Sequence, residues 1–296
     1  MTKALILAET ADAQRTLCAG ARTLADEVAL VVVKGAPVTG VADKAYDIQL
    51  PEGEVAENAF ETVKGVFEQV APDMVLIEPT ARGKILGGLL AASAGASVIA
   101  EISALDGGVA ENMYFGGIAA KKQTAKTGCA FYSTTGAFFG DVAASGTDDV
   151  EAVAYVAPAK ALKLRSTKEV PVEGADLTKS EIIVGVGRGF AEPEQLQVAN
   201  ELAAKIGADV GCSRPIAENV GWMPRNLYIG VSGVQAQPKA YIACGISGQM
   251  QHMVGVKNAG TIIAINKDGN APIFKQTDLG IVGDVMKVLP AMTAKL

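Results

Sequence analysis

Residues 182–211 read IIVGVGRGFAEPEQLQVANELAAKIGADVG, and this stretch decides the fold class. The apolar run at 182–186 predicts a buried strand that ends in glycines, and the run at 208–211 predicts a second strand. Between them, residues 192–205 predict a helix whose buried face carries Leu196, Ala199, Leu202 and Ala203. A strand, a helix and a strand in succession indicate a parallel sheet with right-handed crossovers, so we predict an α/β fold.

The same alternation continues towards the C-terminus. We predict strands at 228–231, 241–244 and 261–265, and a final helix at 281–289 that stops at Pro290. These elements together predict an open, doubly wound, Rossmann-like sheet. Ligands of such sheets bind at the carboxyl ends of the strands.

The N-terminal half repeats the α/β pattern. We predict strands at 4–8, 29–33, 45–49 and 74–77, and helices at 12–25, 54–70 and 83–94. Between about 98 and 155 the pattern changes, because strand-like runs follow one another without helices; they lie at 98–102, 113–117, 129–133 and 150–155. We interpret these runs as a mixed or antiparallel extension of the same sheet.

A stretch without apolar periodicity separates the two halves. Residues 157–180 contain Pro158, Pro171 and many charges. We therefore predict an N-terminal α/β domain at 1–160, a linker at 161–178 and a C-terminal domain at 179–296, each domain built on a mainly parallel sheet.

Composition narrows the function. The net charge of −6 argues against binding to a nucleic acid. The cysteines, Cys18, Cys129, Cys212 and Cys244, are far apart, and there is a single histidine, so we predict no metal site. The short apolar run at 4–8 does not resemble a secretion signal, and no run is long enough to cross a membrane. We expect a cytoplasmic protein with no stable membrane insertion.

The predicted strand ends of the C-terminal half carry an unusual set of residues. Glycines, serines, two arginines, an asparagine and the only histidine follow them, in the segments 187–189, 212–215, 232–233, 245–252 and 266–268. A single glycine or serine at a strand end is usually a tight turn. Five such ends in one predicted sheet indicate a ligand site instead.

Three positions illustrate the choice between structure and function. Ser247 can cap a helix whose free N–H groups would face an anion such as a pyrophosphate. His252 would lie one turn into that helix, either as a structural hydrogen-bonding residue or as part of the site. Arg214, followed by Pro215, is either a surface ion pair or a fixed, partly shielded guanidinium against a planar ligand or an anion.

These residues also match a known family. Gly245-Ile246-Ser247-Gly248 with Gln251-His252 resembles the G-I-S-G-x-x-Q-H signature of electron transfer flavoprotein α-subunits. Residues 264–268, 271–274 and 278–284 resemble its I-N-K-D, A-P-I-F and D-Y-G-I-V-x-D blocks. The resemblance is specific over 182–290 and looser over 1–155. Residues 212–215, 217–219, Trp222 and 251–255 are most similar to the FixB-type subgroup, which includes carnitine-pathway α-subunits.

The resemblance implies a cofactor and partners. FAD would lie in the C-terminal domain, and the N-terminal domain would contact a β-subunit in a heterodimer. The protein would be an electron carrier rather than an enzyme, shuttling electrons between acyl-CoA dehydrogenase-type flavoenzymes and a redox partner.

The family's site residues transfer to this sequence position by position. The backbone of the segment 247–252 would hold the pyrophosphate and the ribityl chain; its members are Ser247, Gly248, Gln249, Met250, Gln251 and His252. His252 would lie by the flavin C2 carbonyl, and Arg214 against the isoalloxazine ring with Ser213 beside it. Asn266 and Asp284 would contact the adenosine half, with Arg188 and Val285 nearby.

One segment departs from the family pattern. Where the family has V-G-Q-T-G-K near the flavin N5, this chain has Ile229-Gly230-Val231-Ser232-Gly233-Val234. Ser232 keeps a hydroxyl for N5. Val231 and Val234 stand where the family has a glutamine amide and a lysine charge. We therefore expect a differently poised flavin, compatible with a bifurcating complex that uses NADH.

Two functional hypotheses outside this family stay open. One is an NAD-dependent oxidoreductase on the same type of sheet, although the only candidate for its ribose-binding acid is Asp209, inside a predicted strand. The other is a nucleotide-binding module without redox work.

Overall fold

The computed structural model describes residues 1–115, 118–168 and 174–296. The end of the predicted strand at 113–117 and Pro171 of the predicted linker lie outside these residues. The chain divides into two compact units, one covering Met1–Tyr114 and Ala119–Lys168 and the other containing the described residues from 174 to 296. The linker at 161–178 stays a prediction.

The first unit is built on a seven-stranded parallel sheet with the order β10-β3-β2-β1-β4-β9-β5. Its elements are β1 Lys3–Leu7, α1 Ala11–Ala21, β2 Glu27–Val32, β3 Lys44–Gln49, α2 Phe60–Val70, β4 Met74–Ile77, α3 Ala81–Ser93, β5 Val98–Ile99, β6 Ile102–Asp106, β7 Val109–Tyr114, β8 Ala119–Thr124, β9 Ala130–Ser133 and β10 Val150–Ala154. The central strands are almost wholly buried apolar runs because helices cover a parallel sheet on both faces.

The segment from 98 to 155 corrects the sequence-based prediction. β5, β9 and β10 join the main sheet in parallel rather than extending it in antiparallel fashion. β6, β7 and β8 instead form a separate three-stranded antiparallel sheet. The physical reason lies in the residues of β8, which are nearly all exposed and include two lysines, so this strand has no apolar face to bury in a covered sheet.

The second unit is a five-stranded sheet with the order β12-β11-β13-β14-β15, in which every pair is parallel. Its elements are β11 Ile182–Val186, α4 Gln197–Ile206, β12 Asp209–Cys212, β13 Ala240–Cys244, α5 Met250–Met253, β14 Thr261–Asn266, β15 Leu279–Val282 and α6 Val285–Thr293. The predicted α/β fold class, with two mainly parallel sheets, is confirmed. The strand order reverses between β11 and β13, and this is the position where such sheets bind ligands.

The segment 228–231 is not a strand of this sheet. Among the described residues it makes only single bridges, Cys212 with Tyr228 and Ile229 with Val234. The chain folds back on itself here: the Val234 N–H donates to the Tyr228 carbonyl at 2.7 Å, and Gly230 has a φ of 153°. A short apolar run that contains Gly230 therefore forms a compact turn rather than a strand.

The last helix also differs from its prediction. Residues 279–282 form β15, and α6 begins at Val285 after Asp284, whose side chain accepts a hydrogen bond from the Met286 N–H. Pro290 lies inside α6 instead of ending it. A proline removes one backbone donor, but its carbonyl still accepts, here from the Ala294 N–H at 3.0 Å.

Candidate functional site

A cavity of about 620 Å³ opens at the carboxyl edge of the second sheet. This volume lies within the range typical of small-molecule and cofactor sites. Its lining comes from the ends of β11, β12, β13 and β14, the 228–232 turn and the start of α6. The lining residues are Arg188, Gly189, Ser213, Arg214, Pro215, Tyr228, Ile229, Val231, Ser232, Gly245, Ile246, Ser247, Gln249, Gln251, His252, Asn266, Lys267, Asp284 and Val285.

The cavity gathers most of the residues selected from the sequence. Gly230, Gly248 and Met250 were selected but do not line it. Six lining residues were not assigned individually, although all but Tyr228 lie in the strand-end segments indicated by the sequence; they are Gly189, Pro215, Tyr228, Gly245, Ile246 and Lys267. Glycines at strand ends and the I-N-K-D block were signals for Gly189, Gly245 and Lys267, whereas nothing in the sequence pointed to Tyr228.

The floor of the cavity depends on two glycines that touch. The Gly189 N–H donates to the Gly245 carbonyl at 2.9 Å. A Cβ on Gly245, which has a φ of +65°, would lie 2.6 Å from the Gly189 Cα. The loops after β11 and β13 therefore meet backbone to backbone, and this exposes peptide groups rather than side chains to a ligand.

The helix expected after Ser247 is shorter than predicted. α5 has only the four residues Met250–Met253, its N-cap is Gln249, and it has no side-chain cap. Because the helix begins after Gln249, the prediction that Ser247 caps it was wrong. The Ser247 carbonyl accepts from the Ile273 N–H at 3.0 Å. Any anion bound by the segment 247–252 would be held by loop backbone and not by a helix dipole.

His252 is the most distinctive side chain of the cavity. It is 8% exposed, and its Nε2 lies 2.7 Å from the hydroxyl of the fully buried Tyr241. Burial lowers the pKa of His252 from 6.5 to about 4, and the backbone of Ile229 opposes this shift in smaller measure. The imidazole is therefore neutral at pH 7.

The hydrogen bond to Tyr241 also fixes the tautomer of His252. Burial raises the pKa of the Tyr241 phenol well above 10, so the phenol keeps its proton. Within the described residues the Tyr241 hydroxyl has no acceptor but Nε2, so it donates to this nitrogen, and the ring proton of His252 belongs on Nδ1. Nδ1 is buried and has no partner in the described part of the chain. The backbone of Ile229 is nevertheless close enough to raise the pKa of the ring, so the Nδ1 proton is weakly satisfied.

Arg214 corrects a second expectation. Its side chain is 64% exposed rather than partly shielded. Its Nε donates to Glu218 at 2.5 Å, and the same carboxylate receives the Arg225 Nε at 3.1 Å. The hydrogen bond from Arg214 and the charges of both arginines lower the pKa of Glu218, which therefore stays ionised.

The remaining polar residues are partly engaged by the protein itself. The Ser232 hydroxyl lies 2.8 Å from that of the buried Tyr228. Asn266 donates to the Ile246 carbonyl at 2.9 Å, which ties β14 to the loop after β13. Asp284 caps α6 through one carboxylate oxygen. Arg188 and Lys267 are exposed cations on the cavity wall.

Comparison with known proteins identifies the family. Residues 176–257 match the family model described as the electron transfer flavoprotein FAD-binding domain. Protein FixB of Escherichia coli O81 (strain ED1a) is 37% identical, with 98% of this chain and 97% of that protein covered. The putative electron transfer flavoprotein subunit YdiR of Escherichia coli K12 is 40% identical over 81% of this chain and 79% of its own. The chain belongs to the electron transfer flavoprotein α-subunit family.

The family match and the cavity coincide in this electron transfer flavoprotein α-subunit. The matched residues 176–257 supply the wall from Arg188 to His252, whereas Asn266, Lys267 and Asp284 come from beyond the match. The full-length similarity to FixB confirms the subgroup indicated by the sequence. YdiR is named as a putative electron transfer flavoprotein subunit, and the subunits of this family are electron carriers. No described helix is long and apolar enough to cross a bilayer.

Proposed function

We propose that this chain binds one FAD in the cavity of its second unit and carries electrons as one half of a heterodimer with a β-subunit. The observation that carries the proposal is the cavity of cofactor size at the carboxyl edge of the sheet, whose lining includes the buried, neutral His252. A buried donor that is only weakly satisfied destabilises the protein, and a ligand carbonyl reduces that cost. A flavin offers such an acceptor at C2.

The other cavity residues fit the remaining parts of FAD. The backbone of the segment 247–252, made accessible by the glycine floor, would hold the pyrophosphate, with Arg188 and Lys267 as the nearby cations. Asn266, Asp284 and Val285 would flank the adenosine half. Ser232, Ser213 and Arg214 would face the isoalloxazine ring.

FAD supplies the electron transfer, and the protein sets its potential through hydrogen bonds and charge. Since His252 is neutral at pH 7, it contributes a hydrogen bond and not a charge. Arg214 is the cation that stays charged at any working pH and can favour added negative charge on the ring. The two Nη groups of its guanidinium make no hydrogen bond within the described residues and are available to a ligand.

The electron donor would be an acyl-CoA dehydrogenase-type flavoenzyme, as in the general role of this family. A bifurcating complex that uses NADH is the second candidate. It is favoured by the 229–234 turn, where Val231 presents an apolar, 40% exposed side chain to the cavity in place of an amide. Reduction by NADH that delivers electrons to two acceptors of different potential would distinguish the second candidate from the first.

The cofactor proposal is tested on the heterodimer. The two subunits are co-expressed, reconstituted with excess FAD and dialysed, and the retained flavin is quantified by absorbance. We expect one FAD per cavity of this chain, with NAD unable to displace it. A colourless protein, or one that retains NAD instead, would show that the proposal is wrong and would favour the NAD-dependent oxidoreductase.

Arg214 provides a prediction about the potential. Arg214→Ala removes the charge and the planar surface, whereas Arg214→Lys keeps the charge alone. Because the side chain is largely exposed and paired with Glu218, solvent screens its effect. We expect the equilibrium constant for the first one-electron reduction to be three- to tenfold smaller in Arg214→Ala. This corresponds to a potential lower by about 30–60 mV, and Arg214→Lys should lie in between. Spectroelectrochemical titration measures this, and FAD content should not change.

Unchanged potentials in Arg214→Ala would show that this arginine is only a surface residue of the rim. Arg225→Ala is the matched control, because Arg225 pairs with the same carboxylate but does not line the cavity. Its first potential should stay near that of the parent protein.

A further inference from the structure

Glu218 occupies a position that the cofactor proposal does not use. Its carboxylate lies between two arginines, with one oxygen on the Arg214 Nε and the other on the Arg225 Nε. Glu218 itself is only 21% exposed on its side chain, although the arginines are 64% and 79% exposed. The carboxylate is therefore the least exposed member of this group.

The backbone around Glu218 explains why it is held. Residues Pro215–Asn219 form a single π-helical turn directly after Arg214. Such turns are uncommon and are frequently found at functional sites. The fully buried Ile216 anchors this turn, and the Ile216 N–H donates to the Ser213 carbonyl at 3.0 Å. The turn carries Glu218 back over the arginine four residues earlier.

The contact has a definite direction. Glu218 takes the Nε edge of the Arg214 guanidinium and leaves both Nη groups without a hydrogen bond in the described residues. Of the three charged side chains, only Arg214 lines the cavity. The carboxylate thus binds the guanidinium at its Nε edge. The opposite edge and the face of the guanidinium stay open to a ligand.

We propose that Glu218 is a positioning residue, which holds the Arg214 guanidinium against the flavin ring and thereby raises the first reduction potential. This inference rests on the proposed binding of FAD. The change in the first reduction potential expected on removal of Glu218 is then opposite in sign to the change expected from charge alone. A carboxylate near a flavin disfavours added negative charge, so its simple removal would raise the potential. Loss of a positioned guanidinium would lower it.

Glu218→Ala therefore separates the two roles. We expect the equilibrium constant for the first electron to fall roughly two- to fivefold, as suits a largely exposed ion pair. The measurement is a redox titration of the FAD-loaded heterodimer, with FAD content and thermal unfolding recorded for each variant. A first potential that is unchanged or higher than in the parent protein would overturn the proposal.

Two further variants make the outcome specific. Glu181→Ala removes another ion-paired carboxylate, more exposed than Glu218 and paired with Lys239 at 2.9 Å near the start of β11, at the opposite edge of the same sheet. Its first potential should match that of the parent protein. In the Arg214→Ala background, Glu218→Ala should cause no further decrease, because a positioning residue acts only through the residue that it positions. A further decrease there would also overturn the proposal.

The failure of this proposal is distinct from failure of the cofactor proposal. If the parent heterodimer retains no FAD, the proposed function is wrong. If it retains FAD and Glu218→Ala leaves the first potential where it was, FAD binding stands and the positioning role of Glu218 is rejected.

Discussion

Gly248→Ala is expected to give a protein that no longer retains FAD. Gly248 has a φ of +80°, and a Cβ there would lie 2.3 Å from the Ile273 Cα and 2.5 Å from the Ile273 N. These are backbone atoms of a neighbouring segment, so no side-chain rotation can make room. The loop 245–249 has to move, and with it the peptide groups proposed to hold the pyrophosphate. Gly248 does not line the cavity itself, so the loss would come from displaced backbone.

The expected cost combines two effects. A left-handed backbone costs a non-glycine residue about 1–2 kcal/mol, and overpacking adds about 1–3 kcal/mol. We therefore expect the free energy of unfolding to fall by about 2–5 kcal/mol in Gly248→Ala. Urea unfolding measures this change, and absorbance after dialysis measures FAD retention.

Two other glycines separate the contributions. Gly207 has a φ of +67° at the end of α4 and would have no atom within 4 Å of an added Cβ, so Gly207→Ala tests the backbone strain alone. Gly269→Ala tests neither effect, because the nearest atoms are 3.7 Å away. Both variants should retain FAD. A Gly248→Ala protein that also retains it would remove the segment 247–252 from the proposed site.

The fold was predictable where local patterns were strong. Buried strands such as β11 and β13 are uninterrupted apolar runs, and α4 has a regular apolar face, so both periods were visible in the sequence. The prediction failed where tertiary contacts determined the local structure. Residues 228–231 are as apolar as a strand, but Gly233 packs against the Tyr228 carbonyl, where an added Cβ would lie 2.3 Å away, and the chain turns back instead.

The site was predictable to a similar extent. Most residues selected at strand ends meet in one cavity because the carboxyl ends of parallel strands share an edge. Burial and exposure of individual side chains were not predictable, since they depend on what packs from elsewhere in the chain. Arg214 was expected to be partly shielded and is largely exposed, and the hydrogen bond of His252 to Tyr241, eleven residues earlier in β13, was not expected.

The pH dependence of stability should carry the signature of His252. The pKa of His252 falls from 6.5 to about 4 because the folded protein buries the ring. Between these values the unfolded chain binds a proton that the folded protein excludes, so folding loses stability as the pH falls from about 6.5 to 4. Above 6.5 the imidazole is neutral in both states, and this contribution is fully present. The difference in pKa corresponds to about 3 kcal/mol.

His252→Gln removes this titration while keeping an amide that can accept from Tyr241 and donate towards the cavity. We expect its free energy of unfolding to depend less on pH than that of the parent protein. From pH 7 to pH 4, the parent protein should lose about 3 kcal/mol more of this free energy than the variant does. Carboxylates also titrate in this range, but they do so in both proteins and cancel in the difference. Urea unfolding at several pH values provides the comparison.

Tyr241→Phe is the control for the hydrogen bond to His252. It leaves a titratable ring in place but removes the donor to Nε2, so it should destabilise the protein by about 1–3 kcal/mol at pH 7. A dependence on pH should remain in this variant, because the buried imidazole remains. If His252→Gln and the parent protein instead show the same dependence on pH, His252 is accessible to protons in the folded protein. Nδ1 would then be hydrated, and the assignment of His252 to the flavin site would be rejected.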